Sequence, residues 1–162
     1  MGDLSALDTG EAAFWRSLIR VTTVLPRALE DQFLPETGLT VSDYGVLVAL
    51  SEAPDHLLRI SALAATTALS LSRISRVVDD LTRRGLVEKR RCKEDGRASN
   101  AVLTAAGLAR LEAAFPSHLA RVRASVFDHL SAEDIRAAGP VLARLAAALD
   151  ATPPTDEEPR TR

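Results

Sequence analysis

Apolar residues recur every three or four positions near the amino terminus of this 162-residue chain, from residue 11 to residue 34. This spacing places them on one stripe of a long amphipathic helix. Pro26 is expected to kink the helix, because an interior proline removes a backbone hydrogen bond, and Pro35 and Gly38 are expected to end it. Residues 1–9 are small and polar, and we expect them to form a flexible tail.

The next segment predicts three shorter helices. Thr40 can cap the first of them with its hydroxyl group, and a short second helix is expected over residues 60–67. Ser70 can cap the third helix, which we expect over residues 71–84 with one apolar face toward the core. Gly85 is expected to end this helix, because glycine adopts a left-handed terminus at low steric cost.

The apolar period then changes from helical to alternating. Residues 86–91 predict a short strand, residues 101–103 its partner, and the Asp95-Gly96-Arg97 segment lies in the turn between them. Helical spacing returns over residues 104–126 and 131–149, where two more amphipathic helices are predicted. The expected fold is mostly α, with a small β-hairpin that projects as a wing.

Composition agrees with a helical protein from a reducing compartment. Hydrophobic residues make up 46% of the chain and aromatic residues only 4%, which favours a mostly α fold with a substantial core. The single cysteine, Cys92, excludes an internal disulfide framework. The amino terminus lacks a signal-peptide pattern, and no stretch approaches the roughly 18 apolar residues of a membrane span. We therefore expect a cytoplasmic protein with no membrane partner.

Charge is distributed unevenly along the chain. Residues 59–97 contain ten Arg or Lys and five Asp or Glu, a local net charge of +5, whereas the whole chain carries −2. A basic middle between acidic ends is typical of a protein in which one surface meets phosphate groups and the rest maintains solubility. The basic segment coincides with the predicted third helix and the hairpin.

Both of these elements carry residue types that contact DNA. In the major groove arginine can donate two hydrogen bonds to guanine, and serine suits several bases or a phosphate. A basic loop can reach the minor groove, where Asp95 could orient the guanidinium group of Arg97. The candidate DNA-binding residues are Ser70, Ser72, Arg73, Ser75, Arg76, Arg91, Lys93, Asp95 and Arg97.

A family resemblance joins these features. The runs LTVSDYGVLVAL and LSRISRVVDDLTRRGLVEKRRCKEDGRASNAVLTAAG resemble the MarR family of bacterial transcription regulators, most densely over residues 39–107. The resemblance implies a winged helix-turn-helix lobe over residues 39–103 and a long-helix dimerisation region. That region would comprise residues 10–38 and 104–150, with flexible tails at 1–9 and 151–162.

The resemblance also implies how such a protein works. A homodimer would bind double-stranded DNA at a palindromic operator with half-sites about 34–36 Å apart. Most members of the family are repressors, and many release DNA when an aromatic acid or a phenol enters a pocket beside the lobe. In this chain Trp15, Arg16 and Tyr44 are the candidate ligand-binding residues.

The sequence also bears on four other functions: an enzyme, a metal sensor, a redox-responsive regulator and an interaction module. No nucleophile, base or phosphate-loop spacing indicates an enzyme, and no cofactor is implied. The histidines lack paired metal-ligand spacing, so no metal site is predicted, and His118 and His129 are expected at a surface or interface. Cys92 lies between two cations that could lower its pKa, which leaves a redox-responsive regulator as one alternative. An interaction module without a DNA role is the other.

Overall fold

The computed structural model describes residues 7–91 and 99–150, and these residues form a mostly helical fold with one small sheet. Single 3₁₀ turns lie at Pro54–His56 and Phe127–His129. The elements are, in chain order, α1 (Thr9–Thr37), α2 (Val41–Glu52), β1 (Leu57–Arg59), α3 (Ile60–Thr67), α4 (Leu71–Arg83), β2 (Val87–Arg91), β3 (Ser99–Leu103), α5 (Ala105–Ser125) and α6 (Ala132–Asp150). The predicted fold class is thereby confirmed.

Helix α1 is longer at both ends than the sequence predicts. It begins at Thr9, which the prediction assigned to a flexible tail, because Asp8 caps it. The Asp8 carboxylate accepts a hydrogen bond from the Glu11 backbone N–H, and the Glu11 carboxylate accepts one from that of Asp8. The helix continues through Pro35 to Thr37 and ends at Gly38, which has a φ of 63°. Residues 1–6 and 151–162, also assigned to tails, lie outside the described residues.

The sheet has a third strand that the sequence did not reveal. Its order is β1-β3-β2, and both pairings are antiparallel. The predicted hairpin is present, with Val87 opposite Leu103 and Arg91 opposite Ser99. The added strand, β1, places Leu57 opposite Val102. Three residues are too few to show an alternating pattern, so this strand depends on pairing with β3, more than 40 positions away.

One hydrophobic core lies beneath α2, α3, α4 and the sheet. The core-facing residues predicted for the three short helices include the most deeply buried side chains of the protein. They are Val46, Leu47, Leu50, Leu63, Ile74, Val78 and Leu81, together with Phe33 and Leu39. Each such side chain contributes roughly 1.5–3 kcal/mol relative to an exposed position. This core fixes the outward face of α4.

Helix α5 is attached to the sheet at its start and to α1 near its other end. At its start the Thr104 hydroxyl accepts a hydrogen bond from the Gly107 N–H, as the predicted cap requires. A Cβ atom at Gly107 would lie only 2.1 Å from the Leu86 carbonyl oxygen, so glycine permits the close approach of α5 to β2. Further along, Glu36 of α1 accepts hydrogen bonds from Ser117 and Arg121, which lower the pKa of its carboxyl group.

The chain divides into two compact units, Met1–Ser125 and Val126–Arg162. In the first unit the stripe on the amino-terminal half of α1 remains uncovered, and Phe14 is 54% exposed. In the second unit α6 has no buried residue, and Leu142 of its stripe is also 54% exposed. Neither stripe has a covering surface within its own unit. None of the helices in the described ranges is long and apolar enough to cross a membrane.

Candidate nucleic-acid interface

Helix α4 is held by local signals at both ends. The Ser70 hydroxyl accepts a hydrogen bond from the Arg73 N–H at 3.3 Å, which confirms the predicted amino-terminal cap. At the other end Gly85 has a φ of 71°, and the Leu86 N–H donates to the Leu81 carbonyl at 2.9 Å. This is the 6→1 hydrogen bond of a Schellman motif, and β2 begins directly after it.

The outward face of α4 carries most of the predicted DNA-binding residues. Ser70, Ser72, Arg73 and Arg76 are exposed at its amino-terminal half, whereas Ser75 is half-buried. The Ser75 hydroxyl donates to the Leu71 carbonyl oxygen at 2.8 Å. The structure therefore brings these five predicted residues onto one end of one helix, which is the end that enters a groove in helix-turn-helix proteins.

The hairpin supplies a second part of the surface. Arg91 ends β2 and is exposed, as predicted. Lys93, Asp95 and Arg97 lie outside the described residues, and so does Cys92 of the redox alternative. The roles assigned to these four residues remain predictions.

Ion pairs distinguish the cations of this surface. Lys89 of β2 contacts the Asp79 carboxylate of α4 at 2.6 Å and so ties the hairpin to the helix. Arg90 pairs with Glu88 at 2.8 Å, which raises the pKa of Arg90 and lowers that of Glu88. Within residues 7–91 and 99–150, by contrast, Arg73, Arg76 and Arg91 form no ion pair. These three keep their full charge for an external anion.

Arg84 orients α4, a role that no local pattern in the sequence indicates. Its guanidinium group donates to the Asp43 carboxylate at 3.1 Å, to the Asp80 carboxylate at 3.2 Å and to the Gly38 carbonyl at 2.7 Å. Asp43 is only 5% exposed and also accepts from the Thr40 N–H, in the predicted capping box. Arg84 thus joins the end of α4 to the start of α2 and the end of α1.

A cavity of about 560 Å³ lies between α1, α2 and α4. Arg73 and Arg76 line it from α4, Arg27 and Glu30 from α1, and Ser42 from α2. The Arg73 guanidinium donates to the Ser42 hydroxyl at 3.1 Å across the cavity. The two arginines on the outward face of α4 therefore also line this open pocket.

The predicted ligand-binding residues are not gathered at one place. Trp15 and Arg16 lie on the exposed first half of α1. Tyr44 is buried, and its ring makes an edge contact with Phe33, which lies about 27 Å along α1 from Trp15 at 1.5 Å per residue. One chain therefore does not build a single site from all three.

His118, for which the sequence predicted a surface or interface position, is partly buried and joins the aromatic cluster around Tyr44. The His118 ring stacks on Tyr44 with centroids 4.2 Å apart and makes an edge contact with Phe33. Burial lowers the pKa of His118 and raises the pKa of Tyr44. The helical pattern gave no sign of this contact, because it joins α2 to a residue more than 70 positions away on α5.

Three helices followed by a β-hairpin, with the third helix exposing serine and arginine, define a winged helix-turn-helix protein. Comparison with known proteins gives the family. A sequence model described as the MarR family matches residues 37–98. The chain is 30% identical over 128 residues to the HTH-type transcriptional repressor YetL of Bacillus subtilis, a match that covers 79% of this chain and 75% of YetL.

Solved structures agree with this result. Sco3205, a MarR family transcriptional regulator from Streptomyces coelicolor crystallised in complex with DNA, is 33% identical; the match covers 92% of this chain and 93% of Sco3205, with a TM-score of 0.84. AbsC from the same organism is 35% identical over 91% of this chain and 99% of its own, with a TM-score of 0.81. The chain belongs to the MarR family of transcriptional regulators.

The role of Arg84 can be tested by comparing it with its neighbour. Replacing Arg84 with alanine leaves the buried Asp43 carboxylate without its charged donor, so we expect the free energy of unfolding to fall by about 1–3 kcal/mol. Arg83→Ala is the control, because the Arg83 side chain is 76% exposed and its pair with Asp80 should be worth about 0–1 kcal/mol. Urea denaturation measures both changes, and equal losses would contradict the orienting role of Arg84.

Proposed function

We propose that this protein is a sequence-specific repressor that binds a palindromic operator as a homodimer and leaves it when a small aromatic acid binds. The main support for DNA binding is the exposure of Arg73 and Arg76 beside Ser70 and Ser72, at the amino-terminal half of α4. Their charges are not neutralised by ion pairs within the described part of the chain. Arg91 extends the same basic surface to the end of β2.

The relatives support this proposal. YetL is named as a transcriptional repressor, and Sco3205 was crystallised with DNA. With α4 in the major groove, Arg76 would meet a base edge or a phosphate, and the wing would reach the adjacent minor groove. In the wing, Asp95 would orient Arg97, as the sequence predicts.

Removing one arginine tests the DNA-binding face. The operator is first selected from random-sequence DNA, and affinity is then measured by fluorescence anisotropy across a range of salt concentrations. Arg76→Ala should weaken binding by about tenfold per half-site, since a good side-chain contact to a base or phosphate is worth roughly 1–3 kcal/mol. Arg83→Ala removes the same charge from the far end of the same helix, where Asp80 already pairs with it, and should bind nearly as the wild type does.

Two outcomes would refute this face. One is that Arg76→Ala and Arg73→Ala both retain wild-type affinity. The other is that affinity does not fall as salt rises, since release of counterions from neutralised phosphates makes DNA binding salt-dependent.

The homodimer is proposed from the uncovered stripes. Phe14 and Val21 on α1 and Leu142 and Leu149 on α6 are large apolar side chains left at the surface of a single chain. A patch of this kind marks an interface, and twofold pairing would cover each stripe with the same surface of a second chain. Such a dimer would present two α4 helices to successive major grooves, so the selected operator should be an inverted repeat.

Dimerisation can be tested with a matched pair of substitutions on α6. Leu142→Asp places a charge on the apolar stripe, and Ala147→Asp places the same charge on the opposite side of the helix, about 140° away at 100° per residue. Size-exclusion chromatography with light scattering should show a dimer for the wild type and Ala147→Asp. Leu142→Asp should shift toward monomer. A monomeric wild-type protein at micromolar concentration would refute the proposed dimer.

The cavity between α1, α2 and α4 is the proposed site of the effector. Its acidic residues already have partners: Glu30 accepts from the Val41 N–H at 2.7 Å, and Asp43 and Asp80 accept from Arg84. Arg27 and Arg76, in contrast, form no ion pair in the described ranges. An anionic ligand would therefore be favoured, and its carboxylate would draw Arg73 and Arg76 away from DNA.

A substitution at Arg27 can test effector binding without removing a proposed DNA contact. Arg27 lines the cavity from α1 and does not lie on the outward face of α4. Arg27→Ala should keep operator affinity near the wild-type value and raise the benzoate concentration that releases DNA. Arg16→Ala serves as the comparison, and benzamide, which lacks the charge, should not release the wild-type protein. If Arg16→Ala alone abolished the response, the effector site would lie at the amino-terminal half of α1, with Trp15.

A further inference from the structure

Leu71 is an apolar exception on a polar surface. It is the first residue of α4 and is 59% exposed. Within the described residues of the lobe, 39–91 and 99–103, it is the one large hydrophobic side chain that remains exposed. Its neighbours on the outward face of the helix are Ser70, Ser72 and Arg73, and all three are polar.

The surroundings of Leu71 limit what it could contact. Leu71 and Ser75 border a concave space of about 290 Å³ that Arg59 of β1 and Lys89 of β2 also line. The Ser75 hydroxyl hydrogen is already donated to the Leu71 carbonyl oxygen, so the Leu71 methyl groups provide the main contact surface at this point. Only the half-buried Ile60 adds a further apolar side chain to this space, so the apolar surface around Leu71 is too small for a protein-binding patch, which generally spans several residues.

A base edge in the major groove fits this arrangement better. Of the four bases, only thymine presents an apolar group there, its C5 methyl. Residues in the first turn of the reading helix are the ones that contact base edges. Resting on the proposed DNA binding by α4, we propose that Leu71 is a specificity-determining residue that selects a thymine by contact with its methyl group.

The experiment removes only that methyl group. In the operator selected with the wild-type protein, each thymine is replaced in turn by deoxyuridine in both half-sites, and affinity is measured for the wild type and Leu71→Ala. Deoxyuridine at one of these positions should weaken wild-type binding by about fourfold per half-site, which is the effect expected for the loss of one buried methyl group. Leu71→Ala should bind the unmodified operator more weakly and lose nothing further at that position.

Two controls keep the result interpretable. Leu71→Met retains an apolar side chain of similar volume and should preserve the sensitivity to deoxyuridine. Thermal unfolding should show that Leu71→Ala is folded, as expected for an exposed position.

The remaining outcomes overturn the inference. If the wild type binds its selected operator specifically but no deoxyuridine position distinguishes it from Leu71→Ala, Leu71 does not read a thymine, while the proposed function stands. If the wild type shows no preference for any DNA sequence, the proposed function fails and this inference fails with it.

Discussion

The geometry of the whole lobe depends on the contact between Arg84 and the buried Asp43 carboxylate. Asp43 begins α2 and is buried, so its charge requires a donor, and Arg84 at the end of α4 supplies it. Because the same guanidinium group also binds the Gly38 carbonyl, the last turn of α1 is fixed to the same point. This junction ties the end of α4 to α1 and α2, while burial of the apolar face of α4 in the core turns Arg73 and Arg76 outward.

The junction also lies beside the proposed effector site. Two of the proposed DNA contacts are among the walls of this cavity between α1, α2 and α4. A ligand held there would compete for the arginines directly, so no long-range change of conformation is required. The acids of the cavity are already satisfied by backbone groups or by Arg84, which leaves positive charge available to a carboxylate.

Much of the fold could be predicted because its signals are local. The caps at Thr40, Ser70 and Thr104, the left-handed glycines at 38 and 85, and the change from helical to alternating spacing each involve residues that are close in sequence. The strand β1 could not be predicted, since it exists through its pairing with β3. Helix α1 starts earlier than its apolar stripe predicts, because the reciprocal hydrogen bonds of the Asp8–Glu11 capping box extend the helix beyond that stripe.

The sequence by itself determined the class of the protein, because a basic helix and hairpin between apolar stripes leave few alternatives to a winged helix-turn-helix regulator. It also determined which face of α4 is polar, since the helical period assigns Ile74, Val78 and Leu81 to the core. Only the tertiary structure decided which cations are already paired, that Arg84 orients α4, and that Tyr44 packs on His118 instead of meeting Trp15. These contacts join residues that lie far apart in the chain, and no local pattern encodes them.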